Sequence, residues 1–180
     1  MSLRAVYLDR DGVLNRAVLL DGKPYPPSSP DKLEILPGVE EALSRLRAAG
    51  YRLVVVTNQP DVGRGTVAQA KVEEIHGIIS SCLPLDEIYT CFHAGTEACE
   101  CRKPKPGMIL LDRDRYGVDL SRSFMVGDRW RDIDAGGAAG CRTILIDYGY
   151  DERMPDHAPD HRCRSLEEAA EWILKQESVQ

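Results

Sequence analysis

At 180 residues, 43% hydrophobic and 29% charged, the chain has the make-up of one globular domain able to bury a core without disulfide staples. A net charge of −6 argues against the basic face that a nucleic-acid surface needs, and no apolar run is long enough to span a membrane. No stretch has the pattern of a signal peptide, so the protein is expected in the cytoplasm, where its six cysteines suit a metal better than a disulfide framework.

The run Ala5 to Leu8 reads as a short buried strand. It leads straight into Asp9-Arg10-Asp11-Gly12. In a parallel α/β sheet, ligands bind at the carboxyl ends of strands. Two carboxylates crowded there repel unless a cation sits between them or one carries a proton. Asp and Gly also suit an ordinary turn, so the later segments have to decide. Leu19 to Pro37, rich in proline, lacks helix or strand periodicity and is expected to be a loop that walls a pocket. Pro37-Gly38 opens a helix whose apolar face is Val39, Ala42, Leu43, Leu46 and Ala49, closed by Gly50.

Arg52 to Thr57 is a second strand, with Leu53 to Val56 buried on both sides of a parallel sheet. It ends in Thr57-Asn58-Gln59; a threonine at a strand end is unremarkable alone, but a hydroxyl and an amide at the same sheet edge as two aspartates suit phosphate oxygens. Val62 to Gly65 is a flexible turn carrying Arg64, a donor for an anion. A helix from Val67 to about Leu83 and a strand from Glu87 to Tyr89 come next. Cys91, His93, Cys99 and Cys101 then match a Cys₃His zinc site in ligand type, with spacers tighter than a common finger; the alternative is a chance cluster of buried thiols. Cys82, Cys141 and Cys163 stand alone and read as ordinary core or surface residues.

Arg102 to Gly107 is basic and proline-stiffened, so a metal at its start would hold Lys103 at a fixed point. Pro106 begins a helix at its first position, running to Tyr116 and ending at Gly117. Ser123 to Gly127 is a fourth strand, running into Asp128. Asp132 falls in the first turn of a helix over 131–139, where the dipole tolerates a carboxylate. Cys141 to Ile146 is a fifth strand, and Ser165-Leu-Glu-Glu168 is a capping box for a last helix through Lys175. There are no internal repeats, and 1–180 is expected to be a single domain.

Three strand ends thus carry Asp9 and Asp11, Thr57 and Asn58, and Asp128, with Lys103 delivered by a loop. Carboxylates of Asp9, Asp11 and Asp128 around one point describe a Mg²⁺ site, and a metal, a lysine and hydroxyl donors equip a site for phosphoryl transfer. Asp9 is then the nucleophile of an aspartyl-phosphate route and Asp11 the acid and base. The order Asp-x-Asp-Gly, Val-Thr-Asn, Lys, Gly-Asp-x₃-Asp resembles the haloacid dehalogenase superfamily of phosphatases over essentially the whole chain. That resemblance implies a Rossmann-like, three-layer α/β fold with a mainly parallel sheet, a minimal cap, and Mg²⁺ dependence. It also implies that Thr57 and Lys103 hold the phosphoryl group and that Asp128 ligates the metal.

Finer features resemble the D-glycero-D-manno-heptose 1,7-bisphosphate 7-phosphatase family. They are the run from Asp9 to Asn15, Thr57-Asn-Gln59 with Gly63-Arg-Gly65, Cys91-x-His93, and Cys99-x-Cys-Arg-Lys-Pro-x-Pro-Gly-Met108. The implied assignments are zinc on Cys91, His93, Cys99 and Cys101, and Arg102 on the distal phosphate. Asn58, Gln59, Arg64 and Arg129 would lie against a small phosphosugar, with no nucleic acid or membrane as partner and the chain a monomer. Two departures are Pro60-Asp61, where that family commonly has Ser-Gly, and Arg129, where a lysine is common. Histidinol-phosphate phosphatase shares the zinc loop and is the alternative. A non-catalytic phosphosugar-binding module would lack Asp9 or Asp11, and both are present.

Overall fold

Strand β1 (Arg4–Leu8) is central because Ala5 to Leu8 are wholly buried. Val6 and Leu8 face one apolar cluster while Ala5 and Tyr7 face another, as expected of a strand covered on both sides. The structure, a computed structural model, describes residues 2–177. In chain order it continues through β2 (Val18–Leu20), β3 (Lys23–Tyr25), α1 (Val39–Ala48), β4 (Tyr51–Asn58), α2 (Pro60–Gly63) and α3 (Gln69–Cys82). Then come β5 (Glu87–Cys91), α4 (Gly107–Tyr116), β6 (Phe124–Gly127), α5 (Trp130–Ala139), β7 (Arg142–Ile146), β8 (His161–Cys163) and α6 (Leu166–Glu177).

The main sheet has the order β5-β4-β1-β6-β7-β8, and every pairing in it is parallel. Helices α1, α3 and α6 cover one face: Leu43 and Leu46, Ile75 and Ile79, and Ala169 and Ile173 pack with Leu53, Val55 and Val126. Helix α4 covers the other through Met108 and Ile109, and α5 lies so close that a Cβ on Gly136 would fall 2.5 Å from that of Met125. This is the three-layer α/β architecture expected from the motif order. The chain builds outward from β1 to β5, then returns to the opposite side at β6. The carboxyl ends of β4, β1 and β6 therefore flank the crevice where such sheets take ligands.

The proline-rich stretch is not wholly irregular. Its start folds into an antiparallel hairpin, β2 against β3. The linking residues Asp21 and Gly22 both have positive φ, 50° and 73°, as a two-residue primed turn requires. Exposed strands such as these lack the burial pattern that reveals a strand in sequence. Val62 and Gly63, expected to open a flexible turn over 62–65, instead close the helical turn α2, with Pro60 at its start. A sixth strand, β8, was too short to read. Pro106 sits just before α4 and not inside it. In the expected capping box, Ser165 Oγ accepts from the Glu168 amide at 3.2 Å, but the Glu168 carboxylate turns to the Arg164 amide. No helix among the described residues is long and apolar enough to cross a membrane.

Candidate active site and metal centre

Asp9 follows β1, Thr57 and Asn58 end β4, and Asp128 follows β6, so sheet order alone makes them neighbours. Two glycines permit the closeness. A Cβ on Gly12, whose φ is +83°, would lie 2.0 Å from Asp128 Oδ2. One on Gly127 would lie 2.1 Å from Asp132 Cβ. Any other residue at either place would push a carboxylate out of the crevice.

Lys103 is only 3% exposed and bridges two acids: its Nζ lies 2.9 Å from Asp9 Oδ1 and 2.6 Å from Asp132 Oδ1. Its backbone is held by Asn58, whose side-chain amide donates to the Lys103 carbonyl at 3.0 Å and accepts from its N–H at 3.1 Å. One oxygen from each of Asp9, Asp128 and Asp132 lies within 4.8 Å of the others. Both Asp128 oxygens are buried without a hydrogen-bond partner; the Tyr150 hydroxyl interacts with the group but reaches no hydrogen-bond geometry. Burial first, then the charges of Asp9 and Asp132, push the Asp128 carboxyl well above its ordinary range. Asp9 is pushed up to about 6, by burial and Asp132, against the opposing pull of Lys103. Three buried carboxylates around one lysine lack positive charge, and orphaned hard oxygens fit a divalent cation.

Asp11 lies outside that trio. Its carboxylate accepts two hydrogen bonds from Arg10 Nη2 at 3.0 Å, one from Asn15 Nδ2 at 2.9 Å and one from Gln59 Nε2 at 2.9 Å. Arg10 is 1% exposed and also donates to His76 Nε2 at 3.0 Å. Arginine can only donate, so that nitrogen is the acceptor. Burial and Arg10 push the His76 pKa down to about 4, which keeps the ring neutral. The sequence groups Asp11 with Asp9 and Asp128, whereas the structure gathers Asp132 there. Arg10 and His76 carry no signal in the sequence, but Asp132 carries one in its spacing from Asp128.

A cavity of about 250 Å³ opens over these groups. Asp9, Asp11, Asn58, Lys103, Asp128 and Arg129 line it, together with Arg64, Arg102 and Arg131. Lys23, Pro24, Tyr25 and Pro26 of the hairpin form one wall, as expected of the proline-rich stretch. Thr57 and Gln59 are buried behind it, where Gln59 Nε2 donates to Thr57 Oγ1 at 3.0 Å. Arg129 is ion-paired with Glu152, and Arg64 with Asp61 at 3.2 Å.

After β5 the chain brings Cys91, His93, Cys99 and Cys101 together. His93 Nδ1 lies 3.4 Å from Cys91 Sγ and 3.2 Å from Cys101 Sγ, and the Cys91 and Cys99 sulfurs are 4.0 Å apart. Tetrahedral zinc bonds of ordinary length put sulfurs about 3.8 Å apart, and sulfur and nitrogen about 3.6 Å apart. Burial pushes the Cys91 thiol up to about 12, and a cation bound at the cluster would favour the thiolate. One donor atom from each of the four lies within 4.8 Å of the others, so the cluster could hold a metal ion.

A profile of the haloacid dehalogenase-like hydrolases matches residues 27–140. The chain belongs to that family. A D-glycero-beta-D-manno-heptose-1,7-bisphosphate 7-phosphatase of Salmonella typhi is 35% identical over 96% of this chain and 90% of its own. Among haloacid dehalogenase-like structures, the D,D-heptose 1,7-bisphosphate phosphatase of B. bronchiseptica, complexed with magnesium and phosphate, is 32% identical with a TM-score of 0.78. The match covers 97% of this chain and 99% of that one. A putative haloacid dehalogenase-like phosphatase of Mesorhizobium loti is 30% identical with a TM-score of 0.76, over 96% and 88% of the two chains.

Phosphatases of this family use Mg²⁺, and the carboxylate trio suits it. A carboxyl whose folded pKa is raised binds protons more tightly folded than unfolded, so it costs stability as pH rises from its unfolded value through its folded one. For Asp9 that window runs from the ordinary 3.8 to about 6, worth up to about 3 kcal/mol. The metal-free protein should therefore gain stability from this site as pH falls from 7.5 to 5. Mg²⁺ competes with those protons, and thermal unfolding should show a larger Mg²⁺ shift at pH 7.5 than at pH 5. Equal shifts at both would mean the trio does not bind the ion.

Proposed function

We propose that the chain is a Mg²⁺-dependent phosphatase that removes the 7-phosphate of D-glycero-D-manno-heptose 1,7-bisphosphate through an aspartyl-phosphate on Asp9. The observation that carries this is the cavity, with a carboxylate and its lysine at the floor and arginines toward the mouth. The full-length likeness to phosphatases of that name supports it.

A carboxylate oxygen of Asp9 attacks phosphorus as the bond to the sugar oxygen breaks, and Asp11, which lines the cavity but is held by Arg10, Asn15 and Gln59, turns from them toward that leaving oxygen to give it a proton. Asp11 then takes a proton from the water that attacks the aspartyl-phosphate, so inorganic phosphate leaves and Asp9 is restored. Lys103 offsets the charge that gathers on the phosphoryl oxygens, and Thr57 supplies a hydroxyl behind them. When bound on Asp9, Asp128 and Asp132, Mg²⁺ supplies the positive charge that lets an anionic nucleophile approach an anionic ester. The Cys₃His cluster takes zinc with no open position and serves to order the loop before Lys103.

Two measurements test this reading. Phosphate release across a panel of sugar mono- and bisphosphates and histidinol phosphate should favour the heptose bisphosphate, and a preference for histidinol phosphate would overturn the substrate. Purified protein should hold about one zinc per chain that survives mild chelation while activity still demands added Mg²⁺. Cys99→Ser should lower both zinc content and activity yet leave a folded protein. Full activity without zinc would remove the metal from the account.

A further inference from the structure

Arg131, the second residue of α5, lines the cavity and is half-buried. The cations around it are mostly spoken for. Lys103 is paired with Asp9 and Asp132, Arg129 with Glu152 and Arg64 with Asp61. Arg102 donates through Nη1 to the His93 carbonyl at 3.1 Å, but neither it nor Arg131 forms an ion pair among the described residues. Burial, then the charges of Arg129 and Arg102, weigh against the positive charge of Arg131. Two partly buried guanidiniums that repel each other and face one cavity lack an anion, and guanidinium geometry suits phosphate.

The support beneath Arg131 is firm. Its guanidinium carbon sits 4.9 Å from the Trp130 ring centroid, and Arg153 covers the same ring at 3.5 Å. Arg153 is itself pinned to Asp134 at 2.9 Å and Asp156 at 2.7 Å. The next residue, Asp132, carries Lys103 on its carboxylate. One helical turn therefore sets the spacing between the floor of the cavity and Arg131. We infer that Arg131, together with Arg102, forms a second phosphate subsite that holds the phosphate not being cleaved and makes the enzyme selective for bisphosphorylated sugars. This rests on the phosphatase reading above. The likeness in motifs points to Arg102 alone; Arg131 is identified by its position and its missing counter-ion.

The test uses the full-length enzyme and its Arg131→Gln and Arg131→Lys variants, with thermal unfolding to verify the fold. The first measurement is kcat/KM for the preferred bisphosphate and for its monophosphate. The second is competitive inhibition of p-nitrophenyl phosphate hydrolysis by fructose 1,6-bisphosphate and by inorganic phosphate. Arg131→Gln should lower the bisphosphate-to-monophosphate ratio of kcat/KM by roughly ten- to a hundredfold, as loss of charged hydrogen bonds does. It should weaken inhibition by the bisphosphate by a similar factor relative to inorganic phosphate, and Arg131→Lys should restore most of both. Equal losses for both substrate types would mean that Arg131 only supports Asp132, and an unchanged ratio would remove it from recognition; either result overturns the subsite. If the parent enzyme does not hydrolyse the heptose bisphosphate, the substrate reading falls, and the inhibition ratio still decides the role of Arg131.

Discussion

Asp9→Asn is expected to take phosphate-ester hydrolysis below detection while the fold survives. The substitution keeps size and polarity but removes the anionic oxygen that, in the route proposed above, attacks phosphorus, and the other two carboxylates of the trio are more deeply buried. Asp128 and Asp132 are less exposed than Asp9, at 4% and 1% against 8%, and Asp132 is bound to Lys103 at 2.6 Å. Burial and Asp132 already push the parent carboxyl up to about 6, so at pH 7.5 its charge costs stability when no metal is bound. The asparagine variant escapes that cost. Its metal-free melting temperature at pH 7.5 should equal or exceed the parent's, and added Mg²⁺ should raise it less. Turnover near the parent rate would sink the covalent route.

Lys103→Ala should damage both chemistry and folding. Without the ammonium, the charge on the transferring phosphoryl group loses its nearest protein partner, and kcat/KM should fall by roughly two orders of magnitude or more. Asp9 and Asp132 are left buried without the cation that bridges them, and breaking a buried pair in this way costs about 3–5 kcal/mol. Asp9, freed from the downward pull of Lys103, would be raised further. The lost stability should therefore return in part as pH falls through its folded value. Urea unfolding at pH 7.5 and pH 5 checks this. A variant as stable as the parent at pH 7.5 would show that Lys103 carries no structural load.

The placement of Asp9, Asp128 and Lys103 was legible because it depends on short apolar runs. Ala5 to Leu8, Leu53 to Val56 and Ser123 to Gly127 read as buried strands of a parallel sheet, and the residues just beyond such strands lie at one edge of the sheet. The partner of Asp9 was not legible in the same way. Asp11 stands nearer to it in sequence than Asp132, but Arg10 turns Asp11 aside, and Arg10 is itself held by His76 of α3. That choice depends on a side-chain direction set by a helix far along the chain. Asn58 shows the same limit. It lines the cavity, as its type suggested, but its hold on the Lys103 backbone depends on a loop 45 residues further on. Arg131 gave no motif signal at all, because an unpaired cation is recognised only once every neighbouring carboxylate has been assigned.

The Asn58 clamp has a consequence for the evolution of the loop it closes. Cys91 pairs in register with Asn58, its carbonyl accepts from the Gln59 amide at 2.8 Å, and Asn58 also grips Lys103. Residues 92–102 thus leave and rejoin the fold at the same strand terminus. The segment between can lengthen or shorten while Asn58 keeps its grip on the Lys103 backbone, since the entropy of closing such a loop grows only slowly with its length. The end of β4 works as a socket, into which loops of differing selectivity can be exchanged while the reaction beneath them stays the same.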